Sequence, residues 1–152
     1  YEPVAGEVQA PVKSDTNIGQ YKQAFKGHHI LLVEDDPVSR QFIHEILNPT
    51  GIGIHQADNA EKGYRAFLEK QKEVSLVLMD LRLPDTDGLE LTRKIRKKDG
   101  SVPIIAQTAY AMAEDRKKSI EAGCNDYLSK PTQAETLLEI MSRYLINHPP
   151  SA

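Results

Sequence analysis

The chain has 152 residues, 39% hydrophobic and 27% charged, with a net charge of −3 from 22 acidic and 19 basic side chains; this fits one globular domain with some length to spare. No apolar run approaches the roughly 18 residues that a membrane-spanning helix needs, and the mixed charges create no field suited to nucleic acid, so this segment is expected to be soluble, without membrane or direct nucleic-acid contact. Cys124 is the sole cysteine, which excludes an internal disulfide and a Cys-rich zinc site and points to a reducing, cytoplasmic setting.

In chain order, residues 1–27 scatter Pro, Gly and polar side chains with no sustained period and are expected to form a linker or tail. The chain opens on Tyr1 with no signal-like segment, so it is expected to be a piece of a longer protein. Residues 28–147 alternate short aliphatic runs with stretches of helical spacing, and residues 148–152 are expected to be a C-terminal tail. Ile30 to Val33 reads as a first strand covered on both faces. Asp36 caps a helix with Pro37 at its first position, and Val38, Phe42, Ile43, Ile46 and Leu47 are expected on its buried face. A second strand over about Ile52 to Ala57 precedes a helix from about Asn59 to Lys70 whose inner face holds Tyr64, Phe67 and Leu68.

Ser75 to Met79 is the most apolar strand and is expected at the centre of the sheet. Asp87 and Glu90 form a capping box for a third helix ending near Asp99-Gly100. Val102 to Gln107 is a fourth strand. Ala113 to Ala122 is a helix with few apolar positions, which should pack weakly, and Asp126 to Ser129 is a short fifth strand. The last helix is expected to start at Thr132, capped with Glu135, and to bury Leu137, Leu138, Met141 and Leu145. The pattern is five βα units, an α/β doubly wound sandwich with a five-stranded parallel sheet.

Sites in such sheets lie beyond the carboxyl ends of the strands. Strand one ends in Glu34-Asp35-Asp36, strand three in Asp80, strand four in Thr108 and strand five in Lys130-Pro131. In strand order 2-1-3-4-5 the carboxylates after strands one and three meet at the switch point, as hard oxygen ligands suited to Mg2+. With a hydroxyl and an ammonium beside them, these are the parts of a phosphoryl-transfer site.

At these residues the chain resembles the response-regulator receiver family of two-component signalling. The stretches LLVEDDPVSR, LVLMDLRLPDTDG, VPIIAQTAYA and NDYLSKP stand in that family's order and spacing, over roughly Gly27 to Leu145. The resemblance implies a flavodoxin-like fold with five helices, Asp80 as phosphoacceptor, and an acidic pair Glu34 and Asp35. It implies a magnesium ion on Asp35, Asp80 and the backbone carbonyl of Arg82, with Glu34 acting mainly through water. Thr108 would hold the phosphoryl group, Lys130 would pair with its oxygens, and Tyr127 would turn inward as Thr108 moves. The Lys130–Pro131 bond resembles the family's cis peptide, which would aim the lysine inward. Arg82 and Tyr110 stand where the family tunes loss of the phosphoryl group.

The partners implied are a histidine kinase core or a phosphotransfer protein, with a homodimer through the fourth helix, fifth strand and fifth helix as a further expectation. The run AQTAYAMAEDRKKSIEAGCNDYLSKP looks most like receivers fused to kinases, so the parent is expected to be a hybrid sensor histidine kinase, itself a candidate for membrane anchoring. A stand-alone receiver or a DNA-binding response regulator is the alternative parent. A magnesium-dependent phosphatase of the haloacid dehalogenase type fails because its second aspartate is replaced by Arg82, and a pseudo-receiver is disfavoured because no site residue is missing. Asp36, Asp85 and Asp87 read as helix caps or solvated charges rather than ligands. The basic residues Arg93 to Lys98 read as a solvated helix end. The five histidines show no metal-ligand spacing along the chain, and none is assigned a role.

Overall fold

Five short apolar runs, too brief for helices and rich in branched residues, form the strands β1 (His29–Val33), β2 (Gly53–Ala57), β3 (Val74–Asp80), β4 (Ile104–Thr108) and β5 (Asp126–Ser129). Between and after them lie α1 (Pro37–Leu47), α2 (Ala60–Lys70), α3 (Gly88–Lys98), α4 (Ala113–Ala122) and α5 (Ala134–Leu145). The computed structural model describes residues 18–109 and 113–146. All strands are parallel in the order β2-β1-β3-β4-β5, with β3 central.

Side chains alternate across a strand, so each buried strand serves two cores. Ile30, Leu32, Leu76, Leu78 and Ile105 face α1 and α5, where Ile43, Leu47, Leu138 and Met141 cover them. Leu31, Val33, Val77, Met79 and Ile104 face Phe67 of α2 and Leu91 and Ile95 of α3. Gly63 lets α2 approach closely, since a Cβ there would meet Val33 and Leu91 at 3.2 Å.

The helix faces differ in detail from the sequence expectation. Val38 and Phe42 are 75% and 45% exposed, and only Ile43, Ile46 and Leu47 of α1 are buried. Leu68 is likewise 43% exposed, because α2 presents Ala60, Gly63 and Phe67 to the sheet. An apolar stripe wider than the buried face leaves its outer members in water, and composition cannot say which edge is left out. Helix α5 starts at Ala134 with Gln133 as its cap position and no side-chain cap bond. The Thr132 hydroxyl is engaged instead by the Gln107 amide at 3.4 Å. Asp36 and Asp87 cap α1 and α3 as expected. Asp85 caps α2 from across the loop, accepting from the Ala60 and Glu61 amides at 2.8 and 3.0 Å. Helix α4 buries only Ser119 and Ala122, in line with weak packing.

Residues 18–27 depart from the expected linker. Phe25 is fully buried in the α1/α5-side core, with Ile18, Tyr21 and Ala24 packed against that core. The Gln23 and Phe25 amides donate to Pro49 and Thr50 carbonyls at 2.8 and 3.0 Å, tying the segment to the 3-10 turn Asn48–Thr50. One anchoring aromatic has no periodicity, so the segment looked like tether. Residues 1–17 and the tail at 148–152 lie outside the described residues.

Phe25→Ala is expected to cost about 3–5 kcal/mol of stability in urea unfolding, as for a large aromatic removed from a core. A change within about 0.5 kcal/mol, the usual size for a surface position, would mean that the segment is only a tether.

Candidate functional site

The carboxyl ends of β1, β3, β4 and β5 converge, and the residues just beyond them do too. Glu34 is fully buried, Asp80 is 4% exposed and Thr108 4% exposed, while Asp35 is exposed. One ligand oxygen from each of Glu34, Asp35 and Asp80 lies within 4.8 Å of the other two. Lys130, from the end of β5, reaches both buried acids: its ammonium donates to Glu34 Oε1 at 2.7 Å and lies 3.3 Å from Asp80 Oδ2. The Lys130–Pro131 peptide is cis.

Backbone groups fix these side chains. The Arg82 amide donates to Asp80 Oδ1 at 3.0 Å and the Asp36 amide to Glu34 Oε2 at 3.3 Å. The Lys130 amide donates to the Thr108 carbonyl at 2.8 Å, and the Leu81 amide to the Gln107 carbonyl at 3.0 Å, so the loops continue the ladder past the strand ends. Arg82 also pairs with Asp87 in an isolated bridge.

Sequence reasoning missed two contributors. Arg40, one turn into α1, donates its guanidinium to the Glu34 carbonyl at 2.7 Å. Gly88 opens α3 against the loop after β3: a Cβ there would collide with the Asp80 carbonyl oxygen and come within 2.9 Å of Leu81 Cα. A glycine beginning a predicted helix at the end of the loop that follows a strand-end aspartate was the available signal.

Tyr127 is partly buried against the α2/α3-side core. Burial and the nearby Asp115 carboxylate of α4 raise its phenol above the ordinary value. Tyr110 lies outside the described residues. Beside the acids runs an open cleft of about 440 Å³, lined in part by Val38, Phe42, Ile43, Ala109, Lys130 and Pro131.

The electrostatics are those of a pocket with excess negative charge. Burial, then the neighbouring Asp80 carboxyl, push Glu34 up to about 7, with Lys130 opposing them. For Lys130, burial disfavours the charged form, but the two carboxylates outweigh it and hold the ammonium above its ordinary value. Three carboxylates facing one ammonium leave net negative charge, and hard oxygen donors at this spacing suit a small divalent cation such as Mg2+.

Comparison with known proteins identifies the family of the chain. Residues 30–142 match the family model described as response regulator receiver domain. An uncharacterised 14.6 kDa protein of Leptolyngbya boryana is 36% identical over 125 residues, 81% of this chain and 94% of that protein. The hybrid signal transduction histidine kinase G of Dictyostelium discoideum is 38% identical over 120 residues, 76% of this chain but 3% of that kinase. Among solved structures, the receiver domain of a sensor histidine kinase from Pseudomonas aeruginosa, crystallised with a magnesium ion coordinated in its active-site cleft, is 40% identical. It covers 78% of this chain and 98% of that one, at a TM-score of 0.71.

Two measurements probe the site directly. In chelator, stability should fall as pH rises from about 4.5 to above 7. Over that range the unfolded Glu34 has already lost the proton that the folded one retains. The drop is about 2–3 kcal/mol at 1.36 kcal/mol per unit, and Glu34→Gln should remove it. Lys130, also raised in the fold, works in the same sense but titrates far above this window. Equal slopes in the two proteins would contradict the placement of Glu34. Separately, Gly88→Ala should weaken magnesium binding by roughly tenfold, since the clash displaces the Asp80 backbone; unchanged affinity would show that α3 does not position the acid.

Proposed function

The chain belongs to the response-regulator receiver family of two-component signalling, and from that premise we propose that it is a magnesium-dependent phosphoacceptor. The phosphoryl group comes from a phosphohistidine on a histidine kinase core or a phosphotransfer protein and goes to the Asp80 carboxylate. The observation that carries the reading is Lys130 bridging Glu34 and Asp80 at 2.7 and 3.3 Å, a fixed cation where phosphoryl oxygens would arrive.

The chemistry follows from the atoms present. As an Asp80 carboxylate oxygen bonds to phosphorus, the phosphorus–nitrogen bond to the donor imidazole breaks and that nitrogen keeps the electron pair. The product is an acyl phosphate, and the transfer needs its charge neutralised more than it needs a base. Asp35, Asp80 and the Arg82 carbonyl would hold a magnesium ion, with Glu34 contributing indirectly, and the ion would supply such neutralisation when bound. Lys130 follows the oxygens from Asp80 onto the phosphoryl group, and the Thr108 hydroxyl donates to another. Thr108 drawn inward vacates space for the Tyr127 ring, which shifts the α4 and β5 surface; a poorly anchored α4 makes that shift inexpensive. Arg82 and Tyr110 occupy the sequence positions where the family tunes loss of the phosphoryl group.

The exposed Val38 and Phe42 border the cleft that leads to Lys130, which supports approach of the donor over α1. The parent is read as a hybrid sensor histidine kinase working on its cytoplasmic side, and homodimerisation is read through α4, β5 and α5. A stand-alone or DNA-binding regulator is the second reading, and the 94% coverage of the small Leptolyngbya protein supports the stand-alone form of it.

Incubation with a small phosphodonor and Mg2+ should add one phosphoryl mass to the wild type and none to Asp80→Asn. Thr108→Ala and Lys130→Ala should keep the mass gain while losing most of the NMR shift changes on α4 and β5. Asp35→Asn should weaken Mg2+ binding by roughly tenfold or more, with two anionic ligands reduced to one. A normal mass gain in Asp80→Asn would end the proposal.

A further inference from the structure

A second polar cluster sits at the opposite end of the sheet, beside the amino ends of β1 and β2. The parallel register sets His29 opposite Gly53 and Leu31 opposite His55, so the two histidines are diagonal neighbours on one face of the sheet. Their rings are 5.3 Å apart between centroids, and His55 Nε2 lies 3.3 Å from His29 Nδ1. Gly53 makes the arrangement fit: a Cβ at that position would collide with His29 Nδ1 and Cε1. A residue without a side chain therefore gives the His29 imidazole the room to lean toward His55.

We propose that His29 and His55 form a binding site for a divalent transition-metal ion of the zinc class, with water completing its coordination. Two bonds of about 2.0–2.1 Å to nitrogens 3.3 Å apart close at an angle of about 105–110°. That is the tetrahedral value zinc adopts, so the spacing of the two nitrogens suits one shared ion in place of the hydrogen bond between them. Binding requires neutral imidazoles, and burial, followed by the adjacent His29, keeps His55 below its ordinary value. The groups facing the pair are few. Glu73, just before β3, acts on His55 from a distance with its negative charge and pairs with Lys70 at 3.7 Å on the surface. Lys70 opposes protonation of His55, and His28 is turned away toward the Ser75 hydroxyl at 3.2 Å.

The ligand set is borderline nitrogen donors rather than all oxygen, so it selects against magnesium. The two sites stand at opposite ends of β1, five residues or about 16 Å apart, and cannot share an ion. An ion here clips the edge strand β2 to β1, and it stabilises the fold in proportion to its occupancy.

The test is zinc titration of the full chain by calorimetry, in excess Mg2+ to fill the carboxylate site, with the histidine ring resonances followed by NMR. One zinc should bind, shifting the rings of His29 and His55 together. His29→Ala and His55→Ala should each lose roughly tenfold or more in zinc affinity with Mg2+ affinity unchanged. Glu73→Gln should lose less, and His44→Ala should lose nothing. Should either alanine variant fold poorly, Gly53→Ala is expected to lose zinc affinity through displacement of the His29 ring. Zinc binding that survives in both His29→Ala and His55→Ala, that vanishes in Asp80→Asn, or that is absent from the wild type would overturn the proposal and leave the pair as a hydrogen-bonded contact.

Discussion

The arrangement turns on one ammonium between two buried carboxylates. Glu34 and Asp80 end neighbouring strands and point into the same pocket, and without Lys130 their charges would have no compensation in a region where water is largely excluded. Because the three residues come from β1, β3 and β5, they meet only in a sheet ordered 2-1-3-4-5. The apolar alternation that builds both cores therefore also builds the site. Even with Lys130 in place, three carboxylates outnumber it, and burial, followed by the neighbouring Asp80, keeps Glu34 raised. A pocket in this state gains from any arriving cation and from a phosphoryl group accompanied by one, at the expense of the stability of the empty fold.

The two ends of the sheet play different parts. At the carboxyl end, loops carry charge, Gly88 permits a backbone approach that no other residue allows, and α4 lies over the sheet with only Ser119 and Ala122 buried. At the amino end, Phe25 seals the α1/α5-side core and the segment from Ile18 braces the turn at Asn48–Thr50. Rigid packing at one end and loosely held elements at the other suit a module that changes its surface without unfolding.

The strands, the central place of β3 and the acids of the carboxylate cluster were legible in the sequence because each has a local signature: uninterrupted apolar runs, and acids directly after them; strand order has none and came with the fold that the resemblance implies. Asp36, Asp85 and Asp87 were legible as caps or solvated charges rather than ligands, although the helix that Asp85 serves could not be read, since its partners are about two dozen residues earlier. What escaped were features set by one contact across the fold. Phe25 has no periodic company, Arg40 reaches a carbonyl rather than a charge, and the exposed side of α1 depends on where α5 lies. His29 and His55 are joined by strand register alone, so their spacing along the chain carries no metal-ligand signature.

The central claim is that Asp80 becomes an acyl phosphate, and the most direct measurement is chemical trapping of that bond. Protein exposed to a phosphodonor and Mg2+, then reduced with borohydride and digested, should yield a peptide with homoserine at position 80 and nowhere else. Homoserine at Asp35, Asp36 or Asp85, or phosphate held on a serine or threonine with position 80 unmodified, would contradict the account.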